Sequence, residues 1–321
     1  MAGAAKISVK VIDVVEVNEL VKRFKFERTD GGLMPTFSGG AHTVVEMNDQ
    51  GTRRLNPYSL MSSPTDRSAY TISVRRDDEG RGGSLYLHNH VKPGMEMTIS
   101  NPVNLFSLDL RARKHIFFAG GIGITPFLSQ IKQLSAANNG HFELHYAVRT
   151  ASLGSYADEL LEHFPNNVDV YHDDKDQQIP LDKLLEGQPL GTHIYVCGPK
   201  GMINWILSGA RKAGWPEQAL HYEEFLAPEP GKAFDVELAV TGKTIHVKEQ
   251  QSLLEAIEAA GVDAPYLCRG GACGMCETQV IRSEGDFIHN DHWLTDEEHA
   301  SGEKIMPCVS RFDGKSLVLD R

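Results

Sequence analysis

The stretch Cys268-Arg-Gly-Gly-Ala-Cys273-Gly-Met-Cys276 decides the fold of the C-terminal part of this 321-residue chain. Its cysteines follow the spacing C-x4-C-x2-C, which is typical of a plant-type 2Fe–2S cluster whose fourth thiolate comes from a distant loop. The glycines in the stretch let the backbone curl and bring N–H groups close to the cluster sulfurs. The predicted iron ligands are Cys268, Cys273, Cys276 and the next cysteine along the chain, Cys308.

A zinc site and buried free thiols are the alternatives for these cysteines. Structural zinc sites usually combine one C-x2-C pair with a second pair of cysteines or histidines. Here the first spacing is four residues and no second pair follows. A disulfide framework is also disfavoured, because three of the five cysteines lie within nine residues and a reducing compartment keeps thiols free. The spacing therefore favours a cluster that moves single electrons.

Composition narrows the class of protein further. At 41% hydrophobic residues the chain can bury a large core, yet it contains no apolar run of roughly 18 residues, so we expect no membrane span. Residues 1–10 lack the charged and apolar regions of a secretory signal, so a cytoplasmic protein is expected. A net charge of −11 argues against a nucleic-acid partner. Residues 235–321 hold 16 acidic against 8 basic residues, which suits either a solvated surface or a docking face for a basic partner.

The hydrophobic pattern changes twice along the chain. Residues 1–110 show short strand patterns separated by turns, which predict an antiparallel β-barrel. Residues 111–226 alternate strands and helices, which predicts an α/β domain with a parallel sheet. Residues 227–233 are linker-like in composition, and residues 234–321 read as a small α+β domain. Thr125 followed by Pro126 predicts a helix start, with Thr125 as N-cap. Capping boxes are expected at Ser252 with Glu255 and at Thr295 with Glu298.

A glycine-rich turn, Gly120-Gly121-Ile122-Gly123-Ile124-Thr125-Pro126, joins a predicted strand to this helix. The N-terminus of a helix offers free N–H groups to a phosphate. Pro126 stands where the third glycine of G-x-G-x-x-G belongs, so an ordinary strand–helix turn is the alternative. Cys197-Gly198-Pro199 ends a later strand, and the carboxyl ends of parallel strands share one edge. Cys197 therefore either faces the same crevice or is a small buried hydrophobe.

Two motifs in the first segment suit a flavin. Asn56-Pro57-Tyr58-Ser59-Leu60 supplies an aromatic ring, and Gly80-Arg81-Gly82-Gly83-Ser84 supplies N–H groups, a hydroxyl and a guanidinium for a phosphate. Each motif alone is better interpreted as a plain turn. In this order, with the glycine turn, Cys-Gly-Pro and the cysteines, the chain resembles the phthalate dioxygenase reductase group of the ferredoxin–NADP reductase superfamily. The resemblance covers nearly the whole chain.

The resemblance implies a flavin β-barrel, an α/β nicotinamide domain and a β-grasp plant-type ferredoxin domain. It implies FMN, NADH and a 2Fe–2S cluster as cofactors, with Ser59, Cys197 and Phe225 close to the site of hydride transfer. The residues that it assigns to the flavin are Arg54, Asn56, Tyr58, Ser59, Leu60, Ser73, Val74, Arg75, Arg81, Gly82, Gly83 and Ser84. The residues that it assigns to the nicotinamide cofactor are Gly120, Gly121, Gly123, Thr125, Pro126, Arg149, Cys197, Gly198, Pro199 and Phe225.

One position departs from the family pattern, which is usually Arg-x-Tyr-Ser. Asn56 occupies the arginine position, and Arg53, Arg54 or Arg81 can substitute for it. The departure weakens a prediction of FAD more than one of FMN, since FMN has a single phosphate to neutralise. Three acids follow the strand at residues 168–171, which suits the ribose hydroxyls of NADH better than the 2′-phosphate of NADPH. Arg149 leaves this preference open.

These inferences predict an NADH-dependent oxygenase reductase. The protein is expected to take hydride from NADH on FMN and to pass single electrons through the cluster to a separate Rieske-type oxygenase. A flavin suits the step between a two-electron donor and a one-electron acceptor. The alternatives are a reductase for a hydroxylase or a cytochrome, and a non-catalytic metal-binding redox module. Neither the substrate of the oxygenase, an aromatic acid or a quaternary amine, nor the oligomeric state follows from the sequence.

Overall fold

The computed structural model describes residues 5–49, 51–137 and 141–321. Its strands form three sheets of six, five and five strands, which follow one another along the chain. Within the described ranges no helix is both long and apolar enough to cross a membrane. The three-part architecture predicted from the sequence is confirmed. The exact domain boundaries, including the linker at 227–233, stay predictions, and residues 1–4 of the first predicted domain lie outside the described residues.

The first sheet is antiparallel throughout and curls into a barrel. Its strands run in the order β4-β3-β6-β1-β2-β5, and Met61, just after β4, donates its N–H to the Thr71 carbonyl of β5 at 2.8 Å, which brings the two edges together. Alternate residues of β1, such as Val9 and Val11, are fully buried, as the period of a strand requires. The elements are β1 (Lys6–Asn18), β2 (Val21–Arg28), β3 (His42–Asp49), β4 (Thr52–Ser59), β5 (Tyr70–Arg75), α1 (Gly83–His90) and β6 (Glu96–Ser100).

The second sheet is parallel and buried on both faces. Phe117 and Tyr195 pack into one apolar cluster and Ile116 and Phe118 into another, so both faces of the sheet are covered. Its strand order is β11-β10-β7-β8-β9. The elements are β7 (Lys114–Gly120), α2 (Thr125–Ala136), β8 (Phe142–Val148), α3 (Ala157–His163), β9 (Val168–His172), α4 (Leu181–Leu185), β10 (Thr192–Cys197), α5 (Lys200–Lys212) and β11 (Leu220–Glu223).

The predicted N-cap at Thr125 is wrong. A short 3-10 turn at Gly121–Ile124 precedes α2, so Thr125 already has helical backbone angles and Ile124 occupies the cap position without a capping side chain. The Thr125 hydroxyl instead donates to the Ile122 carbonyl at 3.0 Å. The proline in the first turn is found as expected, because its missing N–H costs nothing there.

The third sheet is mixed, with order β13-β12-β16-β14-β15 and a parallel pair, β12 and β16, between antiparallel neighbours. Helix α6 lies on it through the fully buried Leu253, Leu254 and Ile257, which gives the predicted β-grasp arrangement. Both capping boxes are confirmed, at the starts of α6 and α7. The elements are β12 (Phe234–Leu238), β13 (Lys243–Val247), α6 (Leu253–Ala259), β14 (Thr278–Ile288), α7 (Asp296–Ser301), β15 (Lys304–Ile305) and β16 (Arg311–Leu319).

Candidate functional site

The four C-terminal cysteines come together as two pairs of free thiols. Cys268, Cys276 and Cys308 are buried, whereas Cys273 is partly exposed. A hydrogen bond from the Cys273 thiol lowers the pKa of Cys268, and one from Cys308 lowers the pKa of Cys276. The Gly270 N–H also points at the Cys268 sulfur, 3.4 Å away. Two neighbouring pairs of thiols, with the Gly270 N–H turned toward one of the sulfurs, supply the four thiolate donors that a 2Fe–2S cluster requires.

Two glycines of the loop have no room for a side chain. Gly271 has a φ of +71°, and a Cβ there would lie 2.8 Å from a methyl carbon of Val309. Gly274 has a φ of +72°, and a Cβ there would lie 2.2 Å from the indole of Trp293. Positive φ and close packing both require glycine at these positions. The loop is therefore tightly packed before any iron is considered.

A hydrogen-bonded group next to Gly271 braces residues 268–276, which we call the cluster loop. The Asp291 carboxylate accepts from the Leu294 N–H at 2.9 Å and from the Ser310 hydroxyl at 3.1 Å. His289 and His299 lie close enough to Asp291 for the three to hold a metal ion. The two imidazole rings are stacked, however, with centroids 4.2 Å apart and planes inclined by 22°. Since nitrogen lone pairs lie in the ring plane, stacked rings do not converge on one ion, and we interpret the group as a structural brace.

Three of the predicted flavin residues of β4 lie on one face of the strand. Arg54, Asn56 and Tyr58 alternate along it, and the Asn56 amide donates to the Tyr58 hydroxyl at 3.4 Å. The Asn56 amide also packs against the start of α1, where a Cβ on Gly83 would lie 2.3 Å from its nitrogen. Gly82, the N-cap of α1, has a φ of +94°. This strand face and the helix N-terminus form one wall of the candidate flavin site.

Arg54 places a positive charge at that helix N-terminus. Its side chain is more than nine-tenths buried, and its Nε has no hydrogen-bond partner among the described residues. Burial, followed by the charge of Arg81, lowers the pKa of Arg54. A guanidinium beside free N–H groups fits a phosphate. Arg53 is instead paired with Glu46 at 2.8 Å, so Arg54 and Arg81 are the better substitutes for the arginine that Asn56 replaces.

Arg81 connects the barrel to the ferredoxin domain. Its Nη1 donates to Glu255 of α6 at 2.6 Å, and both side chains are only 8% exposed. Arg54 and Arg81 also donate to the same carbonyl, that of Gln250, at 3.3 and 3.4 Å. The pair was not predicted, because its members lie 174 residues apart in sequence. The candidate flavin phosphate site is therefore joined directly to the domain that holds the cysteines.

The remaining predicted flavin residues are placed less uniformly. Leu60 and Val74 are buried in the barrel core. The Ser73 hydroxyl bonds to the Tyr156 hydroxyl of the second domain at 2.5 Å, and the Ser84 hydroxyl bonds locally to the backbone of Asp77. Ser59, at the end of β4, is buried. The flavin-binding roles of these residues stay predictions.

A cavity of about 720 Å³ separates the barrel from the parallel sheet. Its floor is the glycine turn, where a Cβ on Gly120 would lie 2.7 Å from Pro199 and one on Gly123 would lie 2.2 Å from the Cys197 carbonyl. Close approach of these two loops requires glycine and leaves backbone N–H groups facing the cavity. The predicted residues that line it are Arg75, Gly120, Gly121, Gly123, Arg149, Gly198, Pro199 and Phe225.

Three predicted residues do not line this cavity. Thr125, Pro126 and Cys197 are buried behind its wall. Burial raises the pKa of the Cys197 thiol well above its usual range. Its neighbour in the sheet register is Glu223, whose carboxyl has one buried oxygen without a partner among the described residues and a pKa raised by burial to about 8. Glu223 was not among the predicted site residues, although it lies only two positions before the predicted residue Phe225.

The cluster loop and the segment after β14 that packs on it touch the end of the second domain. His292 lies 2.9 Å from the carboxylate of Glu224, and its ring meets that of Tyr222 edge-on, with centroids 5.8 Å apart. A Cβ on Gly270 would lie 4.0 Å from the Leu226 carbonyl oxygen. Glu224 and Phe225 also line the cavity described above. Residues 222–226 thus connect the cavity to the cysteines.

Comparisons with known proteins agree with this arrangement. Residues 236–313 match the 2Fe-2S iron-sulfur cluster binding domain, and residues 97–220 match the N-terminal domain of dimethylamine monooxygenase subunit DmmA-like proteins. The chain is 45% identical to the carnitine monooxygenase reductase subunit of Acinetobacter baumannii, over 97% of this chain and 96% of that protein. It is 43% identical to the heme-dependent oxidative N-demethylase beta subunit of Ectopseudomonas mendocina, over 98% of both.

A solved structure of phthalate dioxygenase reductase has the same fold. It superposes with a TM-score of 0.90 at 32% identity and covers 99% of this chain and 98% of its own. The phthalate 4,5-dioxygenase oxygenase reductase subunit of Pseudomonas putida is 36% identical over 97% of this chain and 95% of that protein.

Proposed function

The chain belongs to the family of oxygenase reductase subunits that includes phthalate dioxygenase reductase, and from this premise we propose which oxygenase it serves and which of its residues bind the cofactors. The protein is an oxidoreductase that transfers electrons from NADH through FMN and a 2Fe–2S cluster to an oxygenase. When bound, the flavin supplies the conversion of a two-electron donor into single electrons. The proposals below concern this chain's own residues.

One observation carries the assignment of residues: both candidate cofactor sites touch the ferredoxin domain, one through residues 222–226 and the other through Arg81 with Glu255. The glycine turn of the cavity receives the diphosphate of the nicotinamide cofactor, and Arg54 at the N-terminus of α1 receives the flavin phosphate. Phe225 stands at the cavity wall, 46% exposed, where it covers the flavin until the nicotinamide enters. Residues 222–226 then contact the loop of the four cysteines.

The partner that we propose is a Rieske-type oxygenase that acts on a methylated amine. Relatives at 42–46% identity carry the names carnitine monooxygenase reductase subunit and oxidative N-demethylase beta subunit, whereas vanillate and phthalate relatives are 35–38% identical. This ranking supports an amine over an aromatic acid. The name of one relative includes the term heme-dependent, so a haem-containing oxygenase is the second candidate.

Reconstitution with a defined oxygenase tests the proposal. The purified reductase is mixed with NADH, oxygen and the oxygenase component of the Acinetobacter baumannii carnitine monooxygenase system, and consumption of carnitine is measured. We expect carnitine-dependent NADH oxidation that stops when the oxygenase is omitted. Turnover with the oxygenase component that accompanies the heme-dependent relative, but not with the carnitine enzyme, would reject the Rieske partner and establish the haem alternative.

A further inference from the structure

Trp293 is an aromatic side chain held on the cluster loop but left open to solvent. Its indole lies directly over Gly274, between the predicted ligands Cys273 and Cys276, so closely that a Cβ on Gly274 would lie 2.2 Å from the ring. Its Nε1 donates to the Glu277 carboxylate at 3.0 Å. Even so, the side chain is 49% exposed. A fixed yet exposed indole is typical of the anchor residues of protein interfaces.

The loop has an inner and an outer side. The inner side, at Gly270 and His292, faces Leu226 and Glu224 of the second domain, from which electrons arrive. The outer side carries Trp293, the partly exposed Cys273 and Met275, whose side chain is 50% exposed. Cys273 is the one partly exposed cysteine of the four, so the outer side is where a predicted ligand comes nearest to solvent. We call the exposed side chains of Trp293 and Met275 the exit patch.

Acidic side chains border the exit patch. Glu277 holds the indole of Trp293, and Asp296, Glu297 and Glu298 fill the first turn of the next helix, α7. Lys304 bonds to Glu277 at 3.1 Å and to Glu298 at 2.6 Å and so neutralises part of this charge, which leaves the border net negative. An apolar centre inside a charged rim is the usual anatomy of a protein interface. The complementary surface has an apolar pocket surrounded by Lys and Arg.

We propose that the exit patch is the surface on which the oxygenase docks and through which the cluster delivers its electron. This inference rests on the function proposed above. In each docking event the cluster loses one electron and an iron centre of the oxygenase gains one, so two events use the two electrons that NADH supplies. The indole and the thioether enter the apolar pocket of the partner, and the acidic rim orients it. A large exposed aromatic at the centre of such a surface carries much of the binding free energy.

The test compares Trp293→Ala with Trp293→Phe and with the control Leu190→Ala. Leu190 is 90% exposed and lies just before β10, at the amino-terminal end of the parallel strands, whereas the cavity lies at their carboxyl-terminal ends. The probe is the carnitine monooxygenase oxygenase component, titrated against each reductase, with iron content and cluster reduction by NADH recorded for every preparation. Trp293→Ala should raise the KM for the oxygenase at least tenfold, Trp293→Phe less than threefold, and Leu190→Ala should leave it unchanged. Saturating oxygenase should restore the rate of Trp293→Ala.

The outcomes separate this inference from the proposed function. Turnover by the wild-type reductase together with an unchanged KM for Trp293→Ala would overturn the exit patch alone. No turnover by the wild-type reductase would reject the proposed partner. If Trp293→Ala loses its cluster, Met275→Ala replaces it, and an unchanged KM for that variant likewise overturns the inference. A wild-type dimer in solution that Trp293→Ala converts to monomers would assign the patch to a second copy of this chain instead.

Discussion

Replacing Glu255 with Ala breaks the buried ion pair that joins the flavin barrel to the ferredoxin domain. The Glu255 carboxylate lies 2.6 Å from Arg81 Nη1, with both side chains 8% exposed, and it also accepts from the Ser252 N–H at 2.8 Å in the capping box of α6. Removing one member of a buried pair leaves the other charge uncompensated, which costs about 3–5 kcal/mol. The lost cap adds up to about 1 kcal/mol. Arg81 would remain buried next to the like charge of Arg54.

Most of this cost should fall on the docking of the two domains, because the two charges belong to different domains. A loss of about 3 kcal/mol lowers the docking equilibrium constant roughly 100-fold. In anaerobic stopped-flow mixing with NADH, flavin-saturated Glu255→Ala should show a normal flavin phase and a cluster phase slowed at least tenfold. Its free energy of unfolding, measured in urea, should fall by several kcal/mol.

Glu217→Ala is the matched control, because Glu217 pairs with Arg211 at the same 2.6 Å but with side chains 63% and 50% exposed. An exposed pair contributes about 0–1 kcal/mol, so this variant should behave like the wild type in both assays. If Glu255→Ala kept the wild-type cluster phase and stability, the pair would have no role in positioning the ferredoxin domain.

Three further predictions address the cluster loop, the phosphate site and a buried carboxyl. Gly274→Ala should lower the iron content and reduce the free energy of unfolding by at least about 1–2 kcal/mol, because φ is positive and the indole of Trp293 fills the space. The control Gly270→Ala should keep its iron, because no atom beyond the adjacent residues lies nearer than 3.8 Å to the added Cβ. Equal iron contents in the two variants would contradict this. Arg54→Ala should weaken FMN binding, measured by fluorescence titration, about 10- to 100-fold, because a hydrogen bond to a charged group is lost. The control Arg53→Ala should weaken it less than threefold. Equal effects of the two variants would show that Arg54 does not bind the phosphate. The raised pKa of Glu223 keeps its carboxyl protonated in the folded state up to about pH 8, so the free energy of unfolding should fall as pH rises from about 4.5 to 8. In urea titrations at several pH values, Glu223→Gln should lose this pH-dependent fall. If the free energy of unfolding of Glu223→Gln depended on pH as that of the wild type does, the raised pKa would be refuted.

Local patterns in the sequence predicted the parts of the site that depend on neighbouring residues. The spacing of Cys268, Cys273 and Cys276 identified a loop in which the structure pairs the Cys268 and Cys273 thiols, and Ser252 with Glu255 form the expected capping box. These features need only a few consecutive residues, so their geometry follows from the sequence. The same holds for the glycine turn at Gly120–Gly123, which lines the cavity.

Contacts between distant residues could not be predicted in this way. Arg81 meets Glu255 only because two domains pack together, and Trp293 covers Gly274 only because β14 leads the chain back past the cluster loop. The N-cap prediction at Thr125 failed because the glycines before it form a 3-10 turn that extends the helical backbone upstream. For Cys197, the sequence left a crevice and a core position open, and the packing of the parallel sheet places its side chain in the core.

The central claim is that electrons from NADH reach a cluster held by Cys268, Cys273, Cys276 and Cys308. Anaerobic addition of NADH to the purified protein, followed by low-temperature EPR spectroscopy, tests it most directly. We predict bleaching of the flavin absorbance together with the rhombic EPR signal of a reduced 2Fe–2S cluster, and loss of that signal in Cys273→Ser. Bleaching of the flavin without an EPR signal from iron-replete protein would contradict the account, as would a full signal from Cys273→Ser.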